Sequence, residues 1–314
     1  MPLQFTVLAS GSAGNTSLLE VDGFGVLIDA GLGPRQLSQR LAAVGAGWQR
    51  VQAVLLTHTH TDHWNDRTLE HLRKHRIPLH CHPGHHEGLG AYSPSFTALQ
   101  ADGLVHAYAC DEGFALGPAL TCRPFRVRHD NSVTCGFRFE AAEDLFGESC
   151  ALGYAADLGC WEPALARRLA DVDLLALEFN HDVRLQYASG RSPRLIRRVL
   201  GDEGHLSNVQ AGALVREVVR LSAPGRLRHL IQLHLSRDCN RPELAAAAAA
   251  AALEGCDPPV TVHTAQQDTP GPCLSVGGSN GKATPVQPRT RRTGRVKSST
   301  PPAFVQPWLP GWES

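Results

Sequence analysis

"LLTHTHTDHWND", residues 55–66, places His58, His60, Asp62 and His63 directly behind a short apolar run. Side chains of an extended segment alternate, so His58 and His60 point to one side and their imidazoles can share a metal ion. Asp62 and His63 fall where the chain turns and aim at a neighbouring position. The spacing therefore suits two adjacent cations better than one. A polar turn with chance histidines is the competing reading, but H-x-H-x-D-H is far more specific than a lone H-x-H. Residues 51–56, "VQAVLL", are expected to be a buried strand that delivers the motif from its end.

On the N-terminal side, "QFTVLAS", "NTSLLEV" and "GVLID" read as strands joined by the Gly-rich turns "GSAG" and "DGFG". A helix is expected over "GPRQLSQRLAAVG", with Pro34 near its start and Gly45 beyond its end. Further strands are expected at "LTCRPFRV", "VTCGFRF", "SCALGYAAD", "VDLLALE" and "LRHLIQLH". Helices are expected at 192–200, at 207–222 with Ser207 as N-cap, and at 242–253. The last is an alanine block with high helix propensity and no chemistry of its own. Two blocks of strands interleaved with helices predict an α/β layered sandwich in a single domain over residues 1–264.

Residues 265–314 are rich in Pro, Gly, Ser and Thr and are expected to form a disordered tail, because they cannot bury enough apolar surface to offset ordering entropy. A basic cluster in it, Arg289, Arg291, Arg292, Arg295 and Lys297, reads as solvated tail rather than as a nucleic-acid contact. The 30 Lys plus Arg balance 30 Asp plus Glu, which excludes a highly basic nucleic-acid coat and gives no independent support for a polyanionic substrate. Nine scattered cysteines without a C-x-x-C pair fit reduced thiols. With no signal-like N-terminus and no long apolar run outside the alanine block, a cytoplasmic protein without membrane contact is expected.

"THTHTDH" at 57–63, with the earlier "LIDAG" at 27–31, resembles the signature of the metallo-β-lactamase superfamily. The resemblance spans roughly residues 3–264 and implies a four-layer αβ/βα sandwich with the metals at one edge. It also implies the remaining ligands. His129 in "RVRHDN" would complete the first site with His58 and His60, Asp157 in "GYAADLG" would bridge the two ions, and His234 in "LIQLHLS" would join Asp62, His63 and Asp157 around the second. His106 and His229 compete only if chain order is ignored. His71, His75, His80, His82, His85 and His86 fit no ligand spacing.

"ASGSAGNTSLLEV", "LEFNHD" at 177–182 and "GHLSN" at 204–208 resemble the YycJ/WalJ branch, cytosolic hydrolases regarded as nucleic-acid phosphodiesterases or exonucleases. That branch is similar to tRNA 3'-processing endonucleases and to cyclic phosphodiesterases, so a small cyclic substrate is the alternative. The resemblance implies two divalent ions, Zn²⁺ or Mn²⁺, that activate water. Asp62 would accept the water's proton, and His205, partnered by Glu178, would protonate the leaving oxygen. Asp29 is expected behind a ligand histidine. Ser10, Ser12, Asn15, Asn180 and Ser207 are expected at the substrate, whether DNA or RNA. The turn Ser10–Asn15 reads either as a phosphate cradle or as a plain hairpin turn. Phe179 stands where the branch would have a small polar residue, which puts contacts around Asn180 and His181 in doubt.

A β-lactamase would be expected to carry a signal peptide and a glyoxalase II a C-terminal substrate domain. A β-CASP nuclease needs a large insertion that the span from Asp157 to His234 cannot hold. A non-catalytic nucleic-acid-binding module with a structural metal is disfavoured by the full ligand set, because structural sites tend to be closed and tetrahedral.

Overall fold

Strands covered on both faces read as unbroken apolar runs. Residues 174–177, "LLAL", have that character, and all of Leu174–Glu178 is buried. The computed structural model describes residues 2–130, 133–143 and 149–277. It begins with β1 (Leu3–Ala9), β2 (Thr16–Val21), β3 (Phe24–Ile28), β4 (Ala53–Leu55), β5 (Leu79–Cys81) and β6 (Val105–Ala107). It continues with β7 (Phe114–Gly117), β8 (Leu120–Val127), β9 (Thr134–Ala141), β10 (Ala151–Ala155), β11 (Leu174–Glu178), β12 (His229–Leu233) and β13 (Thr261–Thr264), and ends with β14 (Leu274–Val276). Among the described residues these form two seven-stranded sheets, β14-β1-β2-β3-β4-β5-β6 and β13-β12-β11-β10-β9-β8-β7.

The pleat assigns alternate residues to different layers. Phe5, Leu19, Val26 and Leu55 of one sheet meet Phe137, Phe139, Leu174, Ala176 and Ile231 of the other in a shared core. Leu175 and Leu177, between those inward residues, face α5 (Pro163–Leu169), α8 (Asn208–Leu221) and α9 (Pro242–Ala252). The outer face of the first sheet is covered by α1 (Pro34–Ala43), α2 (Asp66–His75), α3 (His86–Tyr92) and α4 (Pro94–Ala101) through Leu37, Leu41, Leu69, Leu72, Leu89 and Phe96. Helix, sheet, sheet and helix make the four layers of the expected sandwich. Emptying a core position such as Phe137, which is fully buried, costs about 3–5 kcal/mol in a packed interior. Two further helices, α6 (Val183–Ala188) and α7 (Pro193–Leu200), lie between β11 and α8 in the chain.

Strand direction positions the site. β3 to β6 run parallel. So do β10 to β13, and β8 shares their direction because the intervening β9 is antiparallel to both neighbours. Ligand sites of such sheets lie outside the carboxyl ends of the strands. Asp29 follows β3, His58 and His60 follow β4, His129 follows β8, Asp157 follows β10, Glu178 ends β11 and His234 follows β12.

The fold extends past the expected boundary at 264. Leu274 and Val276 are buried in the shared core, and β14 pairs antiparallel with β1, so the segment up to 277 supplies an edge strand rather than a tail. The basic cluster from Arg289 to Lys297 lies outside the described residues. The alanine block forms α9, whose small side chains let it approach α8 so closely that a Cβ at Gly212 would stand 3.2 Å from the Ala248 carbonyl oxygen. Among the described residues no helix is long and apolar enough to cross a membrane.

Candidate metal centre and active site

Three polypeptide approaches bring the H-x-H-x-D-H loop against its partners. Asn15 N–H donates to the Asp62 carbonyl at 2.7 Å, and Ala30 N–H to that of His63 at 2.8 Å. Gly31 is required there, since a Cβ would lie 1.9 Å from the Asp62 carbonyl oxygen. Asp29, Asp130, Asp157 and His234 leave their strands with φ of 61°, 46°, 55° and 56°. That left-handed region is uncommon for non-glycine residues, and Asp and His tolerate it better than most. Each such turn swings a side chain toward one centre, a strain typical of functional sites.

The ligand atoms of His58, His60 and His129 all lie within 4.8 Å of one another, and so do those of Asp62, His63 and His234. Asp157 joins His58 and His63 in a third such group, and His234, Glu178 and His205 in a fourth, so it stands where the two clusters meet. All seven expected ligands are thus brought together. His106 and His229 are not: His106 stacks on His80, and His229 Nδ1 faces His263 Nε2 at 3.2 Å. The His71 and His75 rings pack against each other at a tilt, and His85 Nε2 donates to the Val133 carbonyl at 2.9 Å.

Hydrogen bonds behind the ligands set their tautomers. His129 Nδ1 faces the Gly204 carbonyl oxygen at 2.8 Å and must donate to it, which leaves its Nε2 lone pair for the centre. That Nε2 stands 3.3 Å from His60 Nδ1. His63 Nδ1 donates to Asp29 Oδ2 at 2.7 Å. Thr57 Oγ1 also donates to Asp29, 2.9 Å away, and so accepts from His58 Nδ1 at 2.9 Å. One fully buried carboxylate therefore orients two ligand imidazoles, as expected for Asp29.

These residues fit a divalent cation. His58 Nε2 and Asp157 Oδ2 are buried without a hydrogen-bond partner. His63 Nε2 stands 2.9 Å from Asp157 Oδ2 at ion-pair distance without hydrogen-bond alignment. Three imidazole nitrogens converging on one point have no use for each other unless a cation lies between them. The electrostatics agree. Burial disfavours charge on His63, yet Asp29, Asp157 and Asp62 hold its pKa well above the usual imidazole value. Burial likewise opposes charge on His234, and Asp157, Asp62 and Glu178 override it. Asp157 is held well below the carboxylate range despite its burial, because His234, His63 and His58 surround it. Burial, then His63, push His58 well below its usual value. The buried carboxylates demand positive charge beside them, which a cation held between these ligands would supply.

Glu178, fully buried at the end of β11, ties the rest together. Its Oε2 accepts from Leu158 N–H and Leu206 N–H, both at 3.1 Å. Its Oε1 accepts from His205 Nδ1 at 2.7 Å and lies 3.2 Å from His234 Nδ1. Burial would raise its pKa, but His205 more than offsets this and brings it to about 2. His205 is raised in turn, against burial, chiefly by Glu178. With Nδ1 taken and the side chain 19% exposed, the His205 ring has its Nε2 left for a substrate. Glu178 is a positioning residue rather than a group at the substrate.

Of the five residues expected at the substrate, four are buried with their side chains hydrogen-bonded inside the protein. Ser10 is buried and its Oγ accepts from His234 N–H at 2.8 Å. Asn15 Nδ2 donates to Asp62 Oδ2 at 3.1 Å while its Oδ1 accepts from Gly11 N–H. Asn180 Nδ2 donates to the His234 carbonyl at 2.9 Å, so Phe179, buried in the outer core, leaves this contact intact. Ser207 forms a capping box with Gln210 at the start of α8. Polar side chains this near the centre serve the ligands and the backbone. Ser12 alone of the five is exposed. The turn reading of Ser10–Asn15 also prevails over the cradle: Gly14 N–H bonds the Gly11 carbonyl, and Ala13 N–H is taken by Gln267 Oε1 at 2.9 Å.

Two residues escaped sequence reasoning. Asp130 lies 3.1 Å from His60 Nε2 and pairs with Arg198, and its place directly after His129 was the available signal. Gln267 holds the N-terminal turn from a segment that composition assigned to the tail.

Sandwich, strand-end ligands and paired clusters define a metal-dependent hydrolase fold, and residues 25–225 match the family model of the beta-lactamase superfamily domain, so the chain belongs to that family. Within it the chain is 27% identical over 243 residues to the exodeoxyribonuclease WalJ of Streptococcus pneumoniae, covering 77% of this chain and 85% of the relative. It is 28% identical over 261 residues to the exodeoxyribonuclease YycJ of Bacillus anthracis, covering 81% and 90%. The metallo-beta-lactamase fold protein YhfI of Bacillus subtilis superposes with a TM-score of 0.63 at 17% identity, over 88% of this chain and all of that one.

Proposed function

We propose that this protein is a dinuclear metal-dependent phosphodiesterase, an exonuclease acting on nucleic acid. The observation that carries the reading is the convergence of His58, His60, Asp62, His63, His129, Asp157 and His234 on two adjoining clusters beside the His205–Glu178 pair. The similarity to two exodeoxyribonucleases over most of both chains supports a polynucleotide substrate. Nine free cysteines fit a reducing, cytoplasmic setting.

His58, His60 and His129 would hold one ion, Asp62, His63 and His234 the other, and Asp157 both. Two such ions, Zn²⁺ or Mn²⁺, supply an activated water and stabilise charge on the attacked phosphate. The chain's own residues supply the rest. Asp62, part-exposed at the inner edge of the site, accepts the proton of the attacking water. His205 donates a proton from Nε2 to the leaving sugar oxygen, with Glu178 fixing the ring through Nδ1 and keeping it charged beforehand. Ser12 is the candidate for direct contact with substrate from the N-terminal turn.

The test is hydrolysis by purified protein, with Mn²⁺ or Zn²⁺, of end-labelled single-stranded DNA, duplex DNA, RNA and bis(p-nitrophenyl) phosphate. The reading predicts metal-dependent release of mononucleotides from DNA, abolished by Asp62→Ala. Turnover of the small ester alone contradicts the nuclease reading, and no metal-dependent turnover of any substrate contradicts the hydrolase reading.

A further inference from the structure

Cys110 and Cys135 stand 25 residues apart and form no motif along the chain, yet the fold brings their sulfurs to 3.4 Å. That is little more than an ångström beyond a disulfide bond. Cys110 stands in the turn between β6 and β7, and Cys135 is the second residue of β9. Backbone bonds fix both sides of the contact. Asp111 N–H donates to the Pro124 carbonyl at 2.8 Å and the Asp111 carboxylate pairs with Arg168, while Cys135 N–H donates to the Thr57 carbonyl at 3.1 Å.

Exposure and charge give the two sulfurs different roles. Cys110 is half-buried and Cys135 fully buried, so a solute in water meets Cys110 first. The Cys135 thiol donates to Cys110 and brings its pKa down to about 7 against partial burial, with Arg126 and Arg168 adding to the effect. The same contact, with burial, pushes the Cys135 thiol up. Arg126 stands directly across from Cys135 in the β8–β9 register. Burial alone pushes the Cys81 thiol up to about 12, and it raises that of half-buried Cys160 as well. A thiolate open to solvent beside a second thiol is the arrangement that oxidants react with and that a disulfide resolves.

We propose that Cys110 is a site of modification by hydrogen peroxide and Cys135 its resolving partner, the two closing a reversible disulfide between the β6–β7 turn and β9. The Cys110 thiolate attacks one peroxide oxygen, the O–O bond breaks, and the departing hydroxide takes a proton from solvent and leaves as water. Cys110 is then a sulfenic acid. The Cys135 sulfur attacks the Cys110 sulfur, the S–O bond breaks, and the hydroxide released carries off the Cys135 proton as a second water. The sulfurs give up the electron pair that reduces the peroxide. In a reducing compartment such a bridge is transient, which suits a sensor rather than a permanent staple. The chemistry is independent of the phosphodiesterase reading and goes beyond it.

The experiment treats the reduced full-length protein with equimolar hydrogen peroxide near neutral pH, then counts free thiols after denaturation and maps linked peptides by mass spectrometry. The parent protein is expected to lose two of its nine thiols, to show the Cys110–Cys135 linkage, and to regain both thiols with dithiothreitol. Cys110 is expected to react several-fold faster than the exposed Cys273, because the thiolate is the reacting form. Cys135→Ala is expected to stop at the sulfenic acid, trapped on Cys110 by dimedone. Cys110→Ala is expected to leave Cys135 unmodified, since its partner supplies the first step. No bridge in the parent protein, a bridge from Cys110 to another cysteine, or oxidation of Cys135 that continues in Cys110→Ala overturns the proposal.

Discussion

His63 donates through Nδ1 to Asp29 Oδ2 at 2.7 Å, and both side chains are sealed from solvent. The same carboxylate reaches His58 by way of the Thr57 hydroxyl, so one residue outside the ligand set orients one histidine in each cluster. Removing such a partner typically costs 10–100-fold in metal affinity. Asp29→Asn keeps the volume but loses the negative acceptor, and it is expected to weaken metal binding by about that factor in a competitive chelator titration. Affinity equal to that of the parent protein would refute the role given to Asp29.

His205 is assigned as the proton donor to the leaving oxygen, a role that matters only when the leaving group is a poor one. His205→Ala is therefore expected to slow DNA hydrolysis by about 10²–10⁴-fold, the usual worth of general acid–base catalysis. Turnover of bis(p-nitrophenyl) phosphate, whose leaving group departs unaided, is expected to change by less than about tenfold. Equal losses on both substrates would mean that His205 acts on the ligands rather than on the leaving group.

Ser207 separates a capping role from a substrate role. Its hydroxyl accepts from Gln210 N–H at 3.3 Å and donates to Gln210 Oε1 at 2.7 Å. Ser207→Ala is expected to lose about 1 kcal/mol in urea unfolding, the typical cost of deleting an N-cap, while KM for DNA stays unchanged. A raised KM at unchanged stability would restore the substrate contact.

Much of this site was legible in the sequence, and the reasons are local. H-x-H-x-D-H states its chemistry through spacing alone, whereas His129, Asp157 and His234 came from the resemblance to the superfamily, each standing after a β-rich run. Ser207 was read as a helix cap, which the capping box with Gln210 bears out, and also as a substrate contact, because a hydroxyl near a reaction centre looks alike in both roles until its partner is seen. Several elements gave little signal. Strands β5 and β14 are three residues long, and α2, "DRTLEHLRKH", buries only Thr68, Leu69 and Leu72. Its start is marked by Asn65, whose side chain caps the helix two residues after the metal motif, where ligand chemistry drew attention first. Asp130 and Gln267 depend on tertiary approach and on no pattern along the chain.

Cys110 and Cys135 bring their sulfurs to 3.4 Å. The hydrogen bond from the Cys135 thiol brings the Cys110 pKa down to about 7, against its partial burial and with help from Arg126 and Arg168. The thiolate is the nucleophile, so alkylation of Cys110 is expected to be slow below pH 7 and to rise through an inflection near it. Mass-spectrometric mapping of iodoacetamide adducts against pH checks this, and Cys135→Ala is expected to remove the donor and shift the inflection upward. An inflection above pH 8.5 in the parent protein would contradict the pairing.

Metal stoichiometry, measured by inductively coupled plasma mass spectrometry on reconstituted protein alongside DNA hydrolysis, reads the central claim most directly. The paired clusters predict about two equivalents of Zn²⁺ or Mn²⁺ per chain, loss of hydrolysis on chelation and its return on metal addition, with Asp157→Ala losing both metal and activity. Hydrolysis that survives chelation, or a reconstituted chain holding no metal, would contradict it.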